Sequence, residues 1–123
     1  MTACESTPTN AGIVPDTAIL RISIGQYPPD QSALIEEKLQ TVFKEKVRPA
    51  VQALPGNISY YVTMDKEKHY ISNVSLWTSK EAAAQMGDMQ EMKEMGKVFA
   101  AMGVEFTEIT NHELIWQLPE GNE

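Results

Sequence analysis

Tyr60, Tyr61, Tyr70, Trp77 and Trp116 fall on segments that read as neighbouring β-strands. Tyr and Trp offer a flat apolar face with a polar tip, which suits an aromatic ligand. Near them stand Arg21, Ser23, Asn73 and His112, groups able to hold an acidic ligand or move a proton. The chemistry open to such a set is cofactor-free oxygenation. It needs a substrate that passes an electron to oxygen by itself, held dry and near a proton acceptor. Tyr61, Asn73, Trp77 and His112 are the residues for that site, with His112 as a general base near neutral pH. The plainer reading is that the rings fill core and interface, because strands favour aromatics anyway. On that reading His112, between Asn111 and Glu113, faces solvent or an interface, and this is preferred.

Arg21 sits mid-strand between Leu20 and Ile22, where an unpaired charge is costly. It either anchors an acidic ligand or, preferably, pairs with a carboxylate such as Glu108. His69 opens a strand beside a charged loop and reads as a surface residue. Two separated histidines without a paired carboxylate motif do not make a metal site. Met86, Met89, Met92 and Met95 recur every third residue. Thioethers bind Cu(I), but a spacing of three drifts around a helix, so adaptable packing over a pocket is the better account. Gly87 and Gly96 would then be hinges of a helical lid.

The elements that must position these groups follow from periodicity. Ala18 to Ile24 alternates as a first strand, with Ile22 and Ile24 on one face and Arg21 and Ser23 on the other. Asp30 is placed to cap a helix over about residues 31–54, with Leu34, Ile35, Leu39, Val42, Phe43 and Val47 as its apolar stripe. Pro49 should kink it near Arg48, and Pro55-Gly56-Asn57 ends it. Residues 58–64 form a second strand, Asp65-Lys66-Glu67-Lys68 a hairpin loop, and residues 69–78 a third strand. In that strand Ile71, Asn73, Ser75 and Trp77 share one face. Ser79 caps a second helix, which Gly87 and Gly96 should bend or break and Gly103 should end. Val104 to Leu118 reads as a long final strand. Its end, Leu114-Ile115-Trp116, is apolar on both faces, as expected of a strand reaching a partner subunit.

The order strand, helix, strand, strand, helix, strand is a split βαβ pattern. It predicts an α+β, ferredoxin-like, four-stranded antiparallel sheet with both helices on one face. The bare face, rich in Ile, Val, Tyr and Trp, needs a cover, and a second copy of the chain is the simplest. The expected organisation is a flexible arm over residues 1–16, one domain over 17–118 and a polar tail over 119–123.

Composition narrows the partners. The chain has 123 residues, 42% of them hydrophobic, and a net charge of −7. Nucleic-acid binding needs a basic footprint, and Lys44, Lys46 and Arg48, interrupted by Glu45, read instead as a solvated helix face. The same balance argues against an anionic membrane surface. The single cysteine, Cys4, has no internal disulfide partner and no base beside it. With no membrane-length apolar run and no signal-peptide layout, the expected location is the cytoplasm.

The strand order, the Leu54-Pro55-Gly56 lead-in to strand two and the Leu76-Trp77-Thr78-Ser79-Lys80-Glu81-Ala82 exit from strand three resemble the dimeric α/β-barrel superfamily. Within it, the likeness is to antibiotic biosynthesis monooxygenase-like domains, over about residues 17–118. The resemblance implies two ferredoxin-like subunits with their sheets facing one another, and a cavity between sheet and helices in each. Haem-degrading relatives use an Asn on strand one, a Trp on strand three and a His on helix two. Trp77 is similar to that Trp, but strand one has Arg21 and Ser23 and no Asn, and no His lies between Ser79 and Gly103. An iron without its imidazole loses its anchor. The function expected is therefore a cofactor-independent monooxygenase acting on a small aromatic or polyketide-like compound. His112, Trp77 and Asn73 would be catalytic, and Arg21, Ser23, Tyr61, Trp77 and Trp116 would bind substrate, with no cofactor or metal. The alternative is a non-catalytic dimeric ligand-binding or stress-response module.

Overall fold

The computed structural model describes residues 14–118. Most of the expected arm and all of the expected polar tail therefore lie outside the described residues. The strands are β1 (Ile19–Gln26), β2 (Asn57–Asp65), β3 (Tyr70–Trp77) and β4 (Glu105–Glu113), and every pairing is antiparallel. Their spatial order is β2-β3-β1-β4, the ferredoxin-like arrangement expected from the split pattern. The first crossover is α1 (Ser32–Lys38), a π-turn (Leu39–Phe43) and α2 (Lys44–Gln52). The second is α3 (Lys80–Ala84), a 3-10 turn (Gln85–Asp88) and α4 (Gln90–Ala101). Among the described residues no helix is long and apolar enough to cross a membrane.

The first crossover buries Ile35, Phe43, Val47 and Val51, and with the partly buried Leu39 they make a four-residue repeat. At 3.6 residues per turn, each step of four drifts about 40° around a straight helix. The more widely wound π-turn at Leu39–Phe43 takes back part of that drift. It keeps Ile35 and Val51 over the same core. Leu34, expected in the stripe, is 43% exposed because it lies one residue off this repeat. Pro49 does not break α2. It is exposed, between the buried Val47 and Val51 that hold the helix down. Asp30 is not the cap expected of it. It lies in a 3-10 turn (Pro29–Gln31) that has no side-chain cap.

Ser79 does cap α3, accepting from the Ala82 N–H at 3.1 Å. The break in the second crossover falls at Gly87, inside the 3-10 turn, while α4 runs unbroken through Gly96. From these helices Ala83, Met86, Met95 and Phe99 meet Ile19, Ile71 and Trp77 of the sheet in one core. The rings of Phe43 and Phe99 join the two crossovers at 5.7 Å. The methionine run is thus mainly packing.

Glycine is required at Gly56, whose φ is +88° and where an added Cβ would stand 2.7 Å from Ala82 Cβ and from Thr78 Oγ1. Gly56→Ala is expected to cost about 1–3 kcal/mol, read as a lower urea midpoint. Gly96→Ala is the contrast: its Cβ meets nothing within 4 Å beyond its own stretch of helix, and the gain in helix propensity should stabilise the protein by up to about 1 kcal/mol, read as a higher urea midpoint.

Strand β4 ends at Glu113, short of the expected Leu118. Its partner β1 begins at Ile19, opposite Glu113, and after the Leu114 N–H bonds the Ala18 carbonyl there is no strand left to pair with. Ile115, Trp116 and Leu118 are consequently 73–82% exposed.

Candidate functional site

Register decides which side chains can meet. Ile19, Arg21, Ser23 and Gly25 of β1 stand opposite Trp77, Ser75, Asn73 and Ile71 of β3, and all face the helices. An extra residue in β2, Ile58, places Tyr60, Val62 and Met64 on this face, beside Ser75, Asn73 and Ile71. A second bulge opposite Ile24/Gly25 leaves Thr107 as the extra residue of β4. Phe106 and Ile109, three apart, therefore both turn to the helix side.

These groups floor a cavity of about 260 Å³ under the two crossovers. Arg21, Ser23 and Asn73 give it a polar floor. Leu39, Phe43, Met86, Met92 and Phe99 roof it, and Phe106 and Ile109 stand along β4. Gly87 and Gly96 also line it, and no heavy atom lies within 4 Å of where a Cβ would be at either. A second groove of about 510 Å³ lies between the first crossover and β2, lined by Tyr60, Val62, Met64, Glu36, Lys44, Arg48 and Lys66 among others. Leu39 and Phe43, the two ends of the π-turn, line both spaces.

The Tyr60 hydroxyl donates to Asn73 Oδ1. Burial holds the Tyr60 phenol well above its usual range, against the opposing pull of Arg21, so it remains a neutral donor. With one lone pair of its oxygen engaged by Tyr60, Asn73 presents its amide N–H groups, which have no acceptor among the described residues. Burial lowers the pKa of Arg21, with the Tyr60 phenol acting weakly the other way. Glu108, considered above as its partner, pairs in register with Ile24 and so lies on the other face. Among the described residues the ion pairs are Lys46–Glu94 and Lys66–Glu36, and neither involves Arg21. Among the described residues no Asp, Glu or His lines the inner cavity, and the charged groups that do are Arg21 and Lys93.

The residues singled out from sequence thus divide. Arg21, Ser23 and Asn73 come together in the cavity. Trp77 is on the same face but fully buried in the core, away from the cavity lining, and its indole N–H has no acceptor among the described residues. Tyr61 and His112 are on the opposite face, opposite Val74 and Leu20, and His112 Nε2 lies 2.8 Å from Thr110 Oγ1. Trp116 is beyond the sheet and 73% exposed. Within one chain, His112 and Tyr61 do not reach the space that Asn73 faces. Tyr60 is the group sequence reasoning passed over in favour of its neighbour. Its shared parity with Val62 and Met64 was the available signal.

No family model and no curated protein matches this chain. Solved structures do. A candidate antibiotic biosynthesis monooxygenase from Deinococcus radiodurans superposes with a TM-score of 0.63 at 13% identity, covering 81% of this chain and 95% of that one. Another from Caulobacter crescentus gives 0.61 at 19% identity, covering 81% and 92%. SnoaB from Streptomyces nogalater, a cofactor-independent oxygenase, gives 0.56 at 12% identity, covering 85% and 99%. The chain has the fold of the antibiotic biosynthesis monooxygenase-like proteins.

Proposed function

We propose that this chain forms a homodimer and binds a small aromatic or polyketide-like compound in the inner cavity, oxygenating it without a cofactor. The observation that carries this is the cavity floor: Arg21, Ser23 and Asn73, with Tyr60 behind them, under an apolar roof of Phe and Met. Its shape and polarity are those of a small-molecule site. The described likeness to a cofactor-independent oxygenase adds fold-level support.

The reaction that suits such a site takes an anthrone-type substrate and dioxygen. The ring methylene loses two hydrogens and gains one oxygen atom as a carbonyl. The second oxygen leaves as water, and all the electrons come from the substrate. Asn73 and Ser23 would hold the substrate oxygen whose negative charge grows as the ring methylene releases its proton to water, before the resulting anion passes an electron to dioxygen. Trp77 would act from behind, as packing under this floor. Oxygen uptake with anthrone tests the reading. Asn73→Ala is expected to lose about 100-fold in turnover, and His112→Ala, on the other face, to stay within about twofold. An unchanged rate in Asn73→Ala would remove the site.

One observation favours a second reading, a non-catalytic binding module using the same cavity. Among the described residues no carboxylate or imidazole lines it to serve as a protein base. Wild-type protein that binds anthrone but leaves its spontaneous oxidation rate unchanged would select that reading.

The dimer is proposed from the other sheet face. Leu20, Ile22 and Ile24 of β1 and Val74 and Leu76 of β3 lie there, with no helix of the described residues over them. Tyr61 and His112 share that face, and Trp116 follows β4, so their roles would belong to the subunit interface.

A further inference from the structure

We infer that the inner cavity takes its ligand as an anion, already ionised when it arrives, with Arg21 as its counter-charge and the Asn73 amide and Ser23 hydroxyl as its hydrogen-bond donors. This rests on the reading that the cavity is the ligand site, but it concerns the ligand's charge and not its reaction.

Three observations converge on it. Arg21 is only partly exposed on a strand that faces the helices, and no carboxylate pairs with it among the described residues. A guanidinium withdrawn from water is costly unless an opposite charge meets it. Its electrostatic neighbour among the described residues is Tyr60, a phenol that burial keeps neutral. The second observation is polarity of direction. Asn73 offers an acceptor as well as donors, and the Tyr60 hydroxyl already engages one lone pair of its Oδ1, while both amide N–H groups are left for a ligand. Ser23, directly opposite Asn73 in the β1–β3 register, is buried beside it. The floor therefore offers mainly donors to a ligand, which is the arrangement that charge-assisted bonds to an oxyanion use. The third observation is the inventory of charge. Among the described residues the cavity lining carries Arg21 within and Lys93 on α4, and no acidic side chain, in a chain whose net charge is −7. A positive pocket in an acidic protein selects an anion over a neutral isostere.

The ligand class that follows is a polycyclic aromatic or similarly apolar body bearing one ionised oxygen function, a carboxylate, an acidic phenolate or an enolate. The absence of a base in the cavity then has a function. The site would stabilise an anion that the ligand's own acidity provides.

The test is a matched pair of probes, 2-naphthoate and 2-naphthalenemethanol, titrated into the full chain and followed by the ε-methyl NMR signals of Met86 and Met92, which line the cavity. The expected result is that both probes move these methyls and that naphthoate binds at least about tenfold more tightly, the size of one modest charge-assisted contact. Arg21→Gln should bring the two affinities within about twofold, and Arg21→Lys should restore part of the preference, which guards against a folding defect in the first variant. Equal affinities in the wild type, with the methyls shifting, would overturn the charge inference and leave the cavity assignment standing. A naphthoate preference that survives Arg21→Gln would remove Arg21 from its role. If neither probe moves Met86 or Met92, the cavity reading falls and this inference falls with it.

Discussion

Trp77→Ala is expected to destabilise the protein by about 3–5 kcal/mol, the range for deleting a large buried ring. Trp77 is fully buried, and its core neighbours come from every layer: Ile19 beside it on β1, Ala82 and Ala83 of α3, and Val51 of α2. A domain of this kind holds about 5–15 kcal/mol in total, so the loss is a large fraction of it. The thermal midpoint should fall by on the order of 10–20 °C. Trp77→Phe is the informative comparison. It keeps most of the ring and removes an indole N–H that has no acceptor among the described residues. A buried unsatisfied donor costs free energy, so its removal offsets part of the lost volume, and the net cost should stay under about 1.5 kcal/mol. Circular dichroism during urea unfolding measures both variants. If Phe proves as damaging as Ala, the indole N–H is bonded in the working protein, and Trp77 returns to the site as a polar participant.

The second large effect is on assembly. Ile22→Asp or Val74→Asp is expected to convert a wild-type dimer to a folded monomer. The two residues stand opposite each other in the β1–β3 register, in the middle of the face that carries no helix. A carboxylate forced into an apolar contact on both subunits costs several kcal/mol, equivalent to roughly a thousandfold or more in dissociation constant. Light scattering after size exclusion reads the mass directly. Leu34→Asp, on the outer side of α1 and already 43% exposed, should leave the dimer intact. A wild-type monomer would refute the dimer. A dimer that survives both substitutions would shift the interface to the exposed Ile115, Trp116 and Leu118 that follow β4.

Local alternation was enough to place much of this architecture. Arg21 and Ser23 were separable from Ile22 and Ile24, and Asn73 was grouped with Ile71, Ser75 and Trp77, because side chains alternate strictly along an unbroken strand. Ser79 was readable as a cap from its type and position alone. What escaped were departures from period. The extra residues Ile58 and Thr107 reset the parity of β2 and β4. Nothing in their side chains announces a bulge, so Tyr61 was preferred to Tyr60 and His112 was grouped with Asn73. The π-turn was hidden for a similar reason. Its evidence is a four-residue repeat from Ile35 to Val51, easily taken for an ordinary helical stripe. The length of β4 was overread because apolar content at residues 114–118 does not say whether a partner strand exists to receive it.

Gly87 and Gly96 face the cavity from the roof, and a side-chain carbon at either would meet nothing. Arg21, Ser23 and Asn73 lie across from them on the sheet. Descent with modification therefore has two independent controls on one site. Substitutions at positions 87 and 96 can trim the room available to a ligand, a methyl group at a time, while the charge requirement on the sheet stays as it is. A lineage built on this frame can change how large a molecule it accepts without relearning how to hold it.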